Sequence, residues 1–161
     1  MTEKEYNECV HLYADNVYRF ILKNLRHPEN AKDVVQSSFE KLWINRDKVD
    51  NEKSKSYLFT IAYRQMIDLI RKNKKETLQD DLSSIIKTTR EPHYDVKEIL
   101  NKALYNLSET QRSLVLLKDY EGYSYEEISV ITSLSLSQVK VYLHRARIQL
   151  KSYLVKPENV I

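Results

Sequence analysis

Glu121-Gly-Tyr-Ser-Tyr-Glu-Glu-Ile-Ser-Val-Ile-Thr-Ser-Leu-Ser-Leu-Ser-Gln-Val-Lys-Val-Tyr-Leu-His-Arg-Ala-Arg-Ile-Gln-Leu-Lys-Ser-Tyr-Leu154 contains two helix starts in close succession. Ser124 with Glu127, and Ser135 with Gln138, have capping-box spacing. In that motif the serine hydroxyl accepts from an N–H three residues on, and the Glu or Gln side chain reaches back to the serine N–H. A short helix over about 125–131, a turn at Thr132-Ser133-Leu134 and a longer helix over about 136–153 make the helix-turn-helix layout. Along the longer helix Val139, Leu143, Ala146 and Leu150 fall at i, i+4, i+7 and i+11, a single apolar stripe. Lys140, His144, Arg147 and Lys151 repeat that spacing one residue on, Arg145 adds a cation, and no acid occurs from 136 to 154. Asp119, Glu121, Glu126 and Glu127 make the approach to it acidic.

One side that packs on a scaffold and one that meets phosphates and base edges is what a major-groove helix requires. A solvated amphipathic helix is the plain alternative for four spaced cations; the cap, turn and short acidic helix before it favour duplex DNA. Ser137, Gln138 and Val141 lie at the N-terminal end, where recognition residues reach base edges, and a Gln carboxamide can bond adenine in a bidentate manner. Lys140, Arg145 and Arg147 are expected on phosphate, with His144 on the same basic face.

Upstream, Ser108-Glu-Thr-Gln111 is a third capping box, preceded by the amphipathic set Val96, Ile99, Leu100, Ala103 and Leu104. The helix it starts is expected to bury Leu114, Val115, Leu116 and Leu117 and to end near Tyr120, with Gly122 in the left-handed position beyond a helix end. The N-terminal part shows three or four helices. Tyr6, Val10, Tyr13, Val17, Ile21 and Leu25 mark one long helix or two; Pro28 opens another, with Val35, Phe39, Leu42 and Trp43 on one stripe; Leu58, Ala62, Met66, Leu69 and Ile70 mark the last, which is expected to end in Arg71-Lys-Asn-Lys-Lys75. Cations there also suit a helix C-terminus. This last helix interleaves Tyr57, Tyr63, Arg64, Arg71 and Lys72, a mixture suited to stacking and holding an unpaired strand, whereas Phe59 is expected in the core, a place that is also the plain alternative for Tyr63.

Composition closes off other classes. The chain has 161 residues, one Gly, one Cys and a net charge of +3. So few glycines argue against hairpin-rich sheets and glycine-cradled phosphate sites, and one Cys excludes a disulfide framework within the chain. No apolar run reaches membrane-spanning length and the N-terminus is not a signal peptide, so a cytoplasmic protein without membrane insertion is expected. Residues 1–75 carry a net +4, 76–93 a net −2 and 94–161 a net +1. The expected architecture is all-α: two small helical domains, 1–75 and 95–161, joined by a flexible linker at 76–94, the second a helix-turn-helix. One continuous bundle with a long loop is the alternative.

The motifs resemble those of the extracytoplasmic-function sigma factors, the small sigma-seventy-type subunits of bacterial RNA polymerase. Asp33-Val-Val-Gln-Ser-Ser-Phe-Glu-Lys-Leu-Trp43 is similar to their region 2.2 and Tyr57-Leu-Phe-Thr-Ile-Ala-Tyr-Arg-Gln-Met-Ile-Asp-Leu-Ile-Arg-Lys72 to regions 2.3 and 2.4. Leu107-Ser-Glu-Thr-Gln-Arg112, Glu121 to Ile128 and Val139 to Arg147 are similar to region 4. The resemblance implies a sigma factor that binds core RNA polymerase and promoter DNA. Asp33, Gln36, Ser37 and Lys41 would face the β′ clamp helices, with Phe39, Leu42 and Trp43 mainly core. Tyr57, Tyr63, Arg64, Arg71, Lys72 and the loop at about 47–53 would hold the opened minus-ten strand. The helix-turn-helix would read the minus-thirty-five element through Ser137, Gln138, Lys140, Val141, His144, Arg145 and Arg147 and touch the β flap. An anti-sigma factor is a further implied partner; no cofactor or metal is implied. The family's turn usually holds Gly where this chain has Ser133, so strain of about 1 kcal/mol is expected there.

Two other classes remain as rivals. A helix-turn-helix regulator acting without polymerase would be expected to dimerise on paired half-sites and would leave the first module without a role. An enzyme would need more than Cys9 and His11, which have no second ligand pair at zinc spacing and no placed triad partner, so Cys9 is expected to be a buried apolar residue.

Overall fold

The computed structural model describes residues 1–79 and 96–155. Seven α-helices carry the fold, and the described residues include no strand. Helices α1 (Glu3–Leu25), α2 (Pro28–Ile44) and α3 (Ser54–Gln79) pack on one another as an N-terminal bundle. Helices α4 (Val96–Tyr105), α5 (Glu109–Val115), α6 (Tyr125–Thr132) and α7 (Leu136–Leu154) form the C-terminal one. The basic run at 71–75 does not end α3, which continues to Gln79. Most of the expected linker lies outside the described residues.

The local signals act as the capping chemistry requires. All three serine boxes close reciprocally, and a fourth, Thr2 with Glu5, opens α1. His27 starts α2, its Nδ1 accepting from the Asn30 N–H at 3.1 Å, with Pro28 at the first helical position. A single helix spans the first apolar stripe and ends in a left-handed Arg26 at φ 55°. Between α2 and α3 the chain makes two 3-10 turns, Arg46–Lys48 and Asn51–Lys53, hinged on buried Val49. After α5 the backbone widens into a π-helical turn, Leu116–Tyr120, which keeps Leu116 and Leu117 in the core. Gly122 (φ 76°) then redirects the chain into the Ser124 cap. Ser133 takes φ 61° in the turn, a left-handed conformation without glycine. The turn is braced by Ser129 Oγ donating to the Leu134 carbonyl at 2.6 Å and by Thr132 Oγ1, which accepts from the Leu134 N–H.

The two bundles share one apolar core. Phe59 of α3, fully buried, touches Phe20 on one side and Tyr123 on the other, with ring centroids 5.5 and 5.3 Å away. Each such ring or aliphatic side chain contributes about 1.5–3 kcal/mol by leaving water. A polar cluster lies beside it. Buried Arg112 donates to the Leu104, Leu107 and Tyr105 carbonyls of its own bundle and, at 2.8 Å, to the Asn24 carbonyl of α1. Ser113 Oγ donates to Asn24 Oδ1 at 3.0 Å. Arg19 and Glu121 pair at 2.8 Å, with the Glu121 side chain 3% exposed, and Lys74 pairs with Glu109 at 3.2 Å. The expected pair of modules is therefore present, docked face to face.

Candidate nucleic-acid interface

Three surfaces carry the expected residues. On α7 the helix wheel is realised: Val139, Leu143 and Ala146 are buried, while Ser137, Gln138, Lys140, Val141, His144, Arg145 and Arg147 are all exposed. Two of the seven are already engaged. Gln138 Oε1 accepts from the Ser135 N–H at 2.9 Å, closing the cap. Bidentate bonding to adenine would place a second hydrogen bond on that same oxygen, whose orientation the cap already fixes. Arg147 forks onto Asp119, its Nε donating to Oδ2 at 3.2 Å and its Nη2 to Oδ1. That hydrogen bond is the main cause raising the Arg147 pKa. A phosphate on Arg147 would compete with Asp119 for the same donors. Lys140 lies with its ammonium 5.7 Å from the Tyr125 ring centroid.

On α3, Tyr57, Arg64, Arg71 and Lys72 are exposed, but Tyr63 is buried, 8% accessible. Its phenol is raised above the usual tyrosine range, first by that burial. Tyr63 differs from Tyr57 through helical phase: six residues on, it turns from the exposed side into the core. It therefore reaches no strand in this arrangement, and Phe59 is core, as expected from the sequence.

On α2, Asp33, Gln36 and Lys41 are exposed and Ser37 is half-buried, whereas Val34, Ser38, Phe39 and Leu42 turn inward. The assignment of Trp43 as mainly core is corrected: it is 37% exposed, edge-on to Tyr6 (4.9 Å) and covered by the Arg46 guanidinium at 3.8 Å. Ile44, 74% exposed, and Glu40 share the face of Asp33 and Ser37. Those two were missed, although the spacing 33, 37, 40, 44 is itself a helical stripe opposite the buried one.

Cys9 is buried, its thiol raised by that burial. Among the described residues no group of three or more His, Cys, Asp or Glu could hold a metal ion, and no helix is long and apolar enough to cross a membrane.

Comparison with known proteins matches both bundles, in order. Residues 9–76 match the model for sigma-70 region 2 and residues 97–150 that for sigma-70, region 4. The chain is 32% identical to the ECF RNA polymerase sigma factor SigM of Bacillus subtilis over 151 residues, covering 91% of this chain and 93% of that one. It is also 32% identical to the RNA polymerase sigma factor SigV of the same organism, over 88% of this chain and 89% of that one. Its fold is similar to the sigma factor RpoE of Bartonella quintana, solved in complex with the anti-sigma factor NepR, at TM-score 0.79 and 26% identity, over 94% of this chain and 97% of that one.

Proposed function

The chain belongs to the sigma-70 family, as an extracytoplasmic-function sigma factor that directs promoter-specific transcription initiation with RNA polymerase, and from that premise we propose how its surfaces divide the work. The α2 face of Asp33, Gln36, Ser37 and Lys41, widened by Glu40, Trp43 and Ile44, docks on the β′ clamp helices. The α3 residues Tyr57, Arg64, Arg71 and Lys72, joined by Tyr63 once it is uncovered, hold the opened minus-ten strand. Helix α7 lies in the major groove of the minus-thirty-five element, with Ser137, Val141 and His144 towards the bases and Lys140 and Arg145 on phosphate. Residues 1–75 and 95–161 serve as the two working domains, with 76–94 as the tether.

The observation that carries this reading is the order and completeness of the match: region 2 on the first bundle, region 4 on the second. It gives the first bundle the role that a free-standing helix-turn-helix regulator would leave empty. The likeness to RpoE, solved with NepR, supports an anti-sigma partner for this chain as well. The test is in vitro transcription with core polymerase and genomic template, mapping start sites. Discrete new start sites that need both the chain and the core are expected. Tight, polymerase-independent binding to operator duplexes, with no new start sites, would establish the regulator instead.

The docked arrangement has a mechanical consequence under this reading. Minus-ten and minus-thirty-five centres lie about 25 base pairs apart, roughly 85 Å at 3.4 Å per step. A compact chain of 161 residues has a radius of gyration of only about 15 Å. The bundles must part to engage both elements.

A further inference from the structure

The middle of the outward face of α7 is apolar. At about 100° per residue, the direction opposite the buried Val139, Leu143 and Ala146 is occupied by Ser137, Val141 and Ile148, with Val141 44% and Ile148 57% exposed. Lys140 and Lys151 flank this strip on one side and Arg145 on the other, all exposed. Nothing in the fold calls for an exposed valine in the second turn. Its branched side chain is a poorer helix former than the Lys, Glu or Gln usual on a solvent face. Two longer side chains of the helix are already engaged within the fold: the Gln138 carboxamide oxygen in the cap, and Arg147 on Asp119.

A strip with cations on both edges and an aliphatic centre is complementary to a major groove, whose two phosphate walls enclose the base edges. Among those edges the apolar group on offer is the thymine C5-methyl. We infer that Val141 reads a thymine methyl in the minus-thirty-five element, so that part of this protein's promoter choice is made by apolar contact instead of hydrogen bonding. The inference rests on the assignment of α7 to that element and adds the chemistry of its recognition.

The test uses the reconstituted holoenzyme and a promoter taken from the start-site map. Each thymine of the minus-thirty-five element, on either strand, is replaced singly by deoxyuridine, which keeps the pairing and removes the methyl. Binding is measured by competition against the unmodified promoter. One or two positions are expected to lose about fourfold in affinity, the worth of roughly one methyl group withdrawn from water. Val141→Ala should no longer distinguish thymine from deoxyuridine there, and Val141→Ile should still do so. Equal binding of all the duplexes by the parent, or undiminished discrimination by Val141→Ala, would overturn the inference. So would a Val141→Ala defect in polymerase binding with discrimination intact, which would make the strip a protein contact. Absence of any start sites would instead remove the sigma-factor assignment on which the inference stands.

Discussion

Tyr123 shows how much a single side chain contributes at the joint between the bundles. Its ring is 4% exposed and meets Phe59 edge-on, yet its hydroxyl has no hydrogen-bond partner among the described residues. Burial drives its phenol far above the ordinary range, with Glu121 and Glu127 adding to the rise. A tyrosine raised in this way stays neutral in the folded chain while its unfolded counterpart ionises near pH 10. The stability it confers is full below about pH 10 and is lost as the pH rises beyond it. Tyr123→Phe should therefore keep or raise stability by up to about 1 kcal/mol at neutral pH, since an unsatisfied hydroxyl is removed. It should also lose less stability than the parent between about pH 9 and pH 11; urea melts across that range measure both effects. A loss of more than about 2 kcal/mol at neutral pH would mean that the hydroxyl has a partner after all. The burial of Tyr123 could not be read from the sequence, whereas that of Tyr63 was open to reading, since it follows the core residue Phe59 by four positions on the same helix. Arg112 was equally opaque: the sequence places it on a cap motif, and the structure gives it four main-chain acceptors, one of them across the joint.

At the level of the helices and turns, the start signals were fully legible because a capping box is a local device. It spans four residues and needs no distant partner, so the boxes at Ser108, Ser124 and Ser135 all close as their spacing requires. The two left-handed positions near α6 allow a direct comparison. Gly122, at φ 76°, has open space where a Cβ would be placed, so Gly122→Ala meets no clash and its effect is backbone strain alone. Ser133, at φ 61°, already bears that strain. Gly122→Ala should lose, and Ser133→Gly should gain, about 1 kcal/mol, each a shift of roughly 2–4 °C in Tm for a chain of this size. Thermal melts of the two variants decide the matter. A Ser133→Gly variant that melts no higher than the parent would show that the Ser129 and Thr132 hydrogen bonds already relieve the turn.

At the scale of the molecule, the docked bundles are held by Phe59 against Tyr123, Asn24 against Arg112 and Ser113, and Arg19 against Glu121. Glu29 and Ser152 are exposed and lie on different bundles, so dyes placed there through Glu29→Cys and Ser152→Cys report the separation. The native Cys9 is buried and, replaced by Ser, leaves no competing thiol. Energy transfer should be high in the free chain and fall when core polymerase and promoter are added. Asn24→Ala, which removes the acceptor for Ser113, should lower it partway without either. Unchanged transfer on forming the promoter complex would show that the two elements are engaged without the bundles parting.

The all-helical class, the helix-turn-helix, the basic face of α7 and the family all followed from the sequence by itself, because periodicity, caps and charge spacing act over a few residues and survive in any tertiary setting. Only the folded molecule could show that the two bundles share a core, that Trp43 stands exposed against Tyr6, and that Arg147 is held by Asp119. Each of those depends on which surfaces meet across tens of residues of chain, and burial, which sets the energy of every such contact, is a property of the packed whole.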